Sequence, residues 1–263
     1  MTVYVTGRSV ETGNAIGWDG DPLPGTILDT AAAVSAAGGT GIAVQCDHAN
    51  DEQVAKLFQR IQDEAGRLDI LVNNATFIHE QLIEPKPFWE KELAAVNILD
   101  VGLRSGYVAG WHAARVMAAQ GSGLIAFGSS FGANCYMHGP AYGAQKAGVD
   151  KMAFDMNHDL KPTGARAVSI WMGPLKTERA LKAADVHPEQ YEAFMAMAET
   201  PEFTGHLIYA LAFDARCADK GGQTVIGAEL AVELGMTDAN GFKPPSHRDM
   251  LGPPPERSQA VVY

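Results

Sequence analysis

Tyr142 and Lys146 stand four residues apart in AYGAQKAG, a segment of helical composition. At that spacing both side chains leave one face of a helix. A lysine ammonium beside a phenol favours the phenolate, so Lys146 is expected to lower the Tyr142 pKa and ready it for proton transfer near neutral pH. A solvated helix face can carry the same two residues. The pair therefore gains meaning only from the elements that would surround it.

Those elements alternate along the chain. The β-branched run 2–6 (TVYVT) reads as a buried strand broken by Gly7, and is followed by a loop with Gly13, Gly17, Gly20, Pro22, Pro24 and Gly25. A helix, ILDTAAAVSAA, ends at Gly38 and Gly39, and a second strand, GIAVQC, runs into Asp47. The helix DEQVAKLFQRIQDEA, opened by acids and closed by Gly66, precedes the strand DILVN. Residues 88–120 read as one or two helices before the strand LIAFGSS and the Tyr142 helix. The strand ARAVSIW, a polar segment, the helical runs PEQYEAFMAM and TPEFTGHLIYALAF, the strand QTVIG and the helix AELAVELG follow.

Alternation with buried-looking strands predicts an α/β fold: a doubly wound parallel sheet with helices on both faces. One domain over residues 1–242 is expected, and the proline-rich stretch 243–263 should be an irregular tail. The chain has 263 residues, 46% hydrophobic and 19% charged, enough to bury a large core. Its net charge of -11 argues against nucleic acid or an anionic membrane as partner. Cys46, Cys135 and Cys217 lack the spacing of a zinc or redox motif, so no metal is expected, and a reducing cytoplasmic setting fits. No run approaches eighteen apolar residues, so no membrane span is expected.

In such a sheet, ligands bind at the carboxyl ends of the strands. Five such ends carry small, polar or charged residues: Gly7-Arg8-Ser9, Asp47-His48, Asn73-Asn74-Ala75, Ser129-Ser130 and Gly173 through Thr177. Together they resemble the short-chain dehydrogenase/reductase superfamily, over nearly the whole chain. The family's asparagine-asparagine-alanine run corresponds to Asn73, Asn74 and Ala75, and its tyrosine-x-x-x-lysine motif to Tyr142 and Lys146. Its catalytic serine corresponds to Ser130, with Ser129 the weaker candidate. After the next strand Gly173 and Thr177 keep their places, while Met172 replaces the usual proline and Pro174 follows the glycine.

The resemblance implies a Rossmann-like fold and a division of labour. Ser130 would hydrogen-bond the substrate oxygen, Tyr142 would transfer its proton, and Lys146 would tune the tyrosine and hold the nicotinamide ribose. Gly7, Arg8, Asp47, His48, Asn74, Ala75, Gly173 and Thr177 would border the cofactor. Asp47 would sit by the adenine, Asn74 and Ala75 by the adenosine-side ribose, and Thr177 by the nicotinamide amide or phosphate. Arginine at the position of Arg8 suits the extra phosphate of NADP, where an acid would suit NAD.

Two departures stand out. If TVYVTGRS is the family's second strand, its first strand, glycine-rich phosphate loop and first helix are missing, which leaves two unpaired inner edges. The rival reading makes Gly7, Gly13 and Gly17 a stretched phosphate loop. Its spacing is wrong, because five residues separate the first two glycines and WDGDPLPG cannot be the helix that follows. The other departure is that Gly102 falls where the family's relay asparagine stands, with Asn97 more than a turn away.

The expected function is an NADP-dependent oxidoreductase that interconverts a carbonyl and an alcohol on a small, fairly apolar molecule, in a homodimer or homotetramer. Phe77, Ile78, Tyr136, Met137, Trp171 and Met172 would line its pocket. The alternative is a truncated or degraded scaffold of the same family that binds cofactor weakly or not at all and serves as a non-catalytic subunit.

Overall fold

The computed structural model describes residues 1–13 and 25–263. Gly17, Gly20, Pro22 and Pro24 lie outside the described residues, so the stretched-loop reading has no structural counterpart to compare.

Strand β1 (Thr2–Gly7) leads to helix α1 (Ile27–Ala36), whose start is fixed by a capping box between Thr26 and Asp29. Strand β2 (Thr40–Gln45) follows, then α2 (Asp51–Ala65). Asn50 caps α2 by accepting from the amides of Glu52 and Gln53, and Gly66 ends it at φ 67°, a left-handed conformation that glycine adopts without strain. Strand β3 (Ile70–Asn73) comes next.

Residues 88–120 differ from the expected one or two regular helices. Short tight turns at Phe88–Glu90 and Leu93–Ile98 run into a widened turn, Leu99–Arg104, and only Ser105–Gln120 (α3) is regular. The break has a backbone cause: Val101 and Gly102 leave helical dihedrals, with Gly102 at φ 142°.

Strand β4 (Gly123–Ser129) and the 21-residue helix α4 (Pro140–Leu160) then carry the Tyr142 motif, with Pro140 in the first turn, where its missing N–H costs nothing. After β5 (Ala165–Trp171) come α5 (Glu178–Val186), where the sequence pattern predicts only a polar segment, α6 (Pro188–Met197) and α7 (Pro201–Phe213). Strand β6 (Thr224–Ile226), α8 (Gly227–Leu234) and a single turn, α9 (Arg248–Leu251), complete the chain.

Every strand pair is parallel. Strands β3-β4-β5-β6 form one sheet and β1-β2 another, and no hydrogen-bonded pair joins the two among the described residues. Among the described residues β1, β2, β3 and β6 each keep one edge unpaired. Val72, in β3, is 47% exposed.

Helices cover both faces of the larger sheet, as alternation along β4 requires. Ile125 and Phe127 pack with Val54, Leu57, Phe58 and Ile61 of α2, Ala109, Ala113 and Met117 of α3, and Val149 of α4. Leu124 and Ala126 face the other way, toward Phe203, Leu207 and Leu211 of α7 and Leu230 of α8. Tyr4 of β1 and Val44 of β2 join the first cluster, so the smaller sheet is held through the helices.

Candidate active site

Ser130 leaves the end of β4 and caps the turn Phe131–Ala133, its Oγ accepting from the Gly132 amide at 3.2 Å. The same Oγ lies 2.9 Å from the Tyr142 hydroxyl, and either O–H can donate. Glycine at 132 makes that approach possible: a Cβ there would stand 2.5 Å from the Tyr142 ring. Ser129 points elsewhere, with its Oγ buried and 3.4 Å from the Lys146 carbonyl. Of the two serines, Ser130 is the one that meets the tyrosine.

Lys146 is 8% exposed, donates from Nζ to the Gly128 carbonyl at 3.3 Å and sits 5.4 Å from the centre of the Tyr142 ring. Burial lowers its pKa to about 8, with the charge of Asp150 opposing the fall. The expectation that Lys146 lowers the Tyr142 pKa is corrected. Burial of the phenol is the largest influence and raises it, with Cys135 adding to the rise; only the Ser130 hydrogen bond pulls it down. The ammonium faces the ring, and its own charge is weakened by burial. The His138 and Tyr142 rings meet nearly at right angles with centroids 5.0 Å apart, His138 being held at φ 60°.

Gly102 offers no side chain where the relay asparagine was expected. Its backbone is used instead: the carbonyl accepts from Gln145 Nε2 at 3.1 Å and the amide donates to Ser105 Oγ at 3.0 Å. Gln145 Oε1 is buried without a partner. Asn97 is exposed, on the turn before the kink.

The remaining strand ends divide into two groups. At the larger sheet, Asn74 and Ala75 are exposed after β3, and Asn73 Nδ2 is buried and unpartnered. The Gly173 amide donates to the Glu199 carboxylate, and Thr177 caps α5 by accepting from the Ala180 amide at 3.2 Å. At the smaller sheet, Gly7 accepts from the Cys46 amide at 2.9 Å, and His48 Nε2 lies 3.0 Å from Thr6 Oγ1, with burial lowering the His48 pKa. Asp47 Oδ1 accepts from the Ala49 amide at 3.0 Å. Arg8 and Asp47 line an open concavity of about 590 Å³ with Lys56 and Arg60 of α2.

Of the six expected pocket residues, Trp171 is corrected: it is wholly buried, donates from Nε1 to Asp150 and packs on Phe131. Sequence reasoning missed Asp150, Gln145 and Glu199, all buried. For Asp150 the signal was available, since it continues the four-residue spacing of Tyr142 and Lys146. Gln145 and Glu199 carry no such pattern.

The arrangement fits a dinucleotide in two places: three cations and Asp47 line the concavity at the ends of β1 and β2, and a buried lysine beside a tyrosine lies at the end of β4. No glycine-rich turn links them among the described residues.

A family model described as enoyl-(acyl carrier protein) reductase matches residues 25–237. A human protein named dehydrogenase/reductase SDR family member 1 is 32% identical over 251 residues, covering 91% of this chain and 76% of the relative. A cis-4-hydroxycyclohexanecarboxylate dehydrogenase from Sinomonas cyclohexanicum is 32% identical over 218 residues, covering 80% of this chain and 82% of the relative. Among solved structures, a 7α-hydroxysteroid dehydrogenase complexed with NADH and 7-oxo glycochenodeoxycholic acid superposes with a TM-score of 0.67 at 21% identity, covering 92% of this chain and 85% of the other. A short-chain type dehydrogenase/reductase from Mycobacterium marinum gives 0.64 at 24% identity, covering 76% and 79%.

Proposed function

The chain belongs to the short-chain dehydrogenase/reductase superfamily of NAD(P)-dependent oxidoreductases, and from that premise we propose that it uses NADP to interconvert a carbonyl and an alcohol on a small, fairly apolar molecule. The observation that carries the reading is the 2.9 Å contact between Ser130 Oγ and Tyr142 OH, with the Lys146 ammonium beside the tyrosine ring.

In the reducing direction, Ser130 donates a hydrogen bond to the substrate oxygen and Tyr142 gives that oxygen its proton as the carbonyl carbon receives hydride. The bound nicotinamide supplies the hydride. Lys146 holds the ribose and offsets the negative charge left on the tyrosine. With its pKa near 8, it remains largely protonated at neutral pH.

Arg8 favours the phosphate-bearing nucleotide. Among the described residues its side chain has no hydrogen-bond or ion-pair partner, and it shares the concavity with Lys56. An arginine fork suits a phosphate dianion. Gly7, Asp47, His48, Asn74, Ala75, Gly173 and Thr177 are proposed to border the cofactor. Phe77, Ile78, Tyr136, Met137 and Met172 remain the proposed apolar lining, and the relative acting on a cyclohexane alcohol is consistent with a compact ring as substrate.

A homodimer or homotetramer is proposed through α3 and α4, supported by the exposed Tyr107 and Trp111 on α3. Residues 1–242 are proposed as one domain. No helix among the described residues is long and apolar enough to cross a membrane, and the cytoplasm is the proposed compartment.

The test is NADPH oxidation with cyclic ketones and simple aldehydes. Tyr142→Phe is expected to lower kcat at least about 100-fold while leaving NADPH binding intact. Unchanged turnover in that variant would refute the proton-transfer role. A folded protein that binds no NADPH would favour the non-catalytic scaffold.

A further inference from the structure

Asp150 lies one helical turn beyond Lys146 on α4, so Tyr142, Lys146 and Asp150 occupy one face at successive turns. It is 1% exposed, an uncommon position for a carboxylate unless its oxygens are satisfied. Here they are. Ser169 Oγ donates to Oδ1 at 2.5 Å and Trp171 Nε1 to Oδ2 at 2.8 Å, both from β5. Burial raises the Asp150 pKa, and the hydrogen bonds from Ser169, from the Ser129 hydroxyl at the end of β4 and from Trp171 oppose that rise in favour of the charged form.

Indole N–H can only donate, so the oxygen it meets must accept. All three partners are neutral, and they support a carboxylate without cancelling its charge. The charged groups that face it are Lys146 on its own helix and Arg257 from the C-terminal segment. Lys146, for its part, is buried with a backbone carbonyl as its hydrogen-bond acceptor. A buried ammonium with no nearby anion tends to shed its proton.

We propose that Asp150 is the buried counter-ion that keeps Lys146 charged, and so acts as a positioning residue of the acid/base site, a role that rests on the reading of Tyr142 and Lys146 given above. Its hydrogen bonds to β5 fix the carboxylate in place. Asp150 acts on the charge of Lys146, without touching substrate. A residue that only ties α4 to β5 would hold the same bonds and leave the titration of Lys146 unchanged.

Asp150→Asn separates the two roles, because asparagine keeps the size and can still accept from Trp171 while losing the charge. The Lys146 midpoint is read by competitive acetylation with acetic anhydride across pH, followed by peptide mass spectrometry. In the variant it should fall about one pH unit below the wild-type value.

Coincident Lys146 titrations in the two proteins would overturn the proposal. A shifted titration in a protein without any turnover would uphold the counter-ion and overturn the reductase reading. If Asp150→Asn does not fold, the coupling is read from the other side. Lys146→Met should raise the Asp150 midpoint, measured by carboxyl ¹³C NMR, by a similar amount, because the interaction is reciprocal. An unmoved Asp150 would overturn the proposal equally.

Discussion

Glu199 shows what burial does to one side chain. It is 2% exposed beside the loop that follows β5, where its carboxylate accepts from the Gly173 amide and from Thr204 Oγ1 at 3.4 Å. Desolvation dominates these bonds, and its pKa rises from 4.5 to about 7. Between those values the folded protein holds a proton that the unfolded chain has released, so this group makes stability fall as pH rises from about 4.5 to 7. The loss is at most on the order of 3 kcal/mol. His247, also buried and with its pKa lowered, acts in the opposite sense below its ordinary value. The Glu199 contribution is therefore read as a difference: Glu199→Gln should gain stability over wild type from pH 5 to pH 8 in urea melts. Parallel curves across that range would show that the carboxylate is solvated after all. Nothing in the local sequence AETPEF marks Glu199 as buried, because its neighbours read as a helix start. Ser130, Tyr142 and Lys146 were legible because their types and spacing are themselves the chemistry. The direction of the Tyr142 pKa was not, since it depends on how deeply the phenol sits and where the ammonium points.

Among the elements, the strands and helices whose edges are marked by glycine, proline or a capping side chain were legible. Helix α2 falls on DEQVAKLFQRIQDEA, and β5 on ARAVSIW. The region before α3 was not. Apolar residues from Phe88 onward suggest one or two helices, yet Phe88, Trp89 and Leu93 are exposed, and the chain turns sharply at Val101 and Gly102. Hydrophobic pattern reports which faces are apolar and carries no record of one residue at positive φ. The sequence marks Gly102 only as a missing asparagine, whereas its conformation is what matters. At φ 142° its carbonyl accepts from Gln145 and its amide donates to Ser105 Oγ, and a Cβ would stand 3.1 Å from Thr76 Oγ1. Gly102→Ala should therefore destabilise the protein by about 1–3 kcal/mol and, by shifting Gln145 next to Lys146, lower kcat about tenfold or more. Thermal melting and steady-state kinetics on the variant decide it; wild-type values for both would mean the kink tolerates a side chain and does not set the active helix.

Across the whole molecule, the division into two sheets decides where the fold is weakest. Neither β1 nor β2 contains a buried residue, while β4 and β5 are buried through almost their entire length. The smaller sheet is attached through Tyr4 and Val44 against the α2–α3 cluster, with β1 pairing only with β2 among the described residues. An exposed ion pair, Arg104 with Asp51 at 2.5 Å, joins α2 to the kink and contributes little in water. Segments with few buried contacts and an open strand edge open at a lower free-energy cost than the core. Amides of Thr2–Gly7 and Thr40–Gln45 should then exchange with deuterium at least about tenfold faster than those of Gly123–Ser129 and Ala165–Trp171. The proposed cofactor geometry adds a second requirement. Arg8 and Asp47 belong to the smaller sheet, and Ser130 and Tyr142 to the larger, so one dinucleotide that contacts both would join the two halves and slow exchange in β1 and β2 by mass action. Saturating NADPH should protect β1 and β2, NADH should do so less, and Arg8→Ala should remove the difference between the two nucleotides. Equal protection by both nucleotides in the wild-type protein would take Arg8 out of cofactor selection. Exchange in β1 as slow as in β5, with no nucleotide present, would mean that the smaller sheet needs no such link.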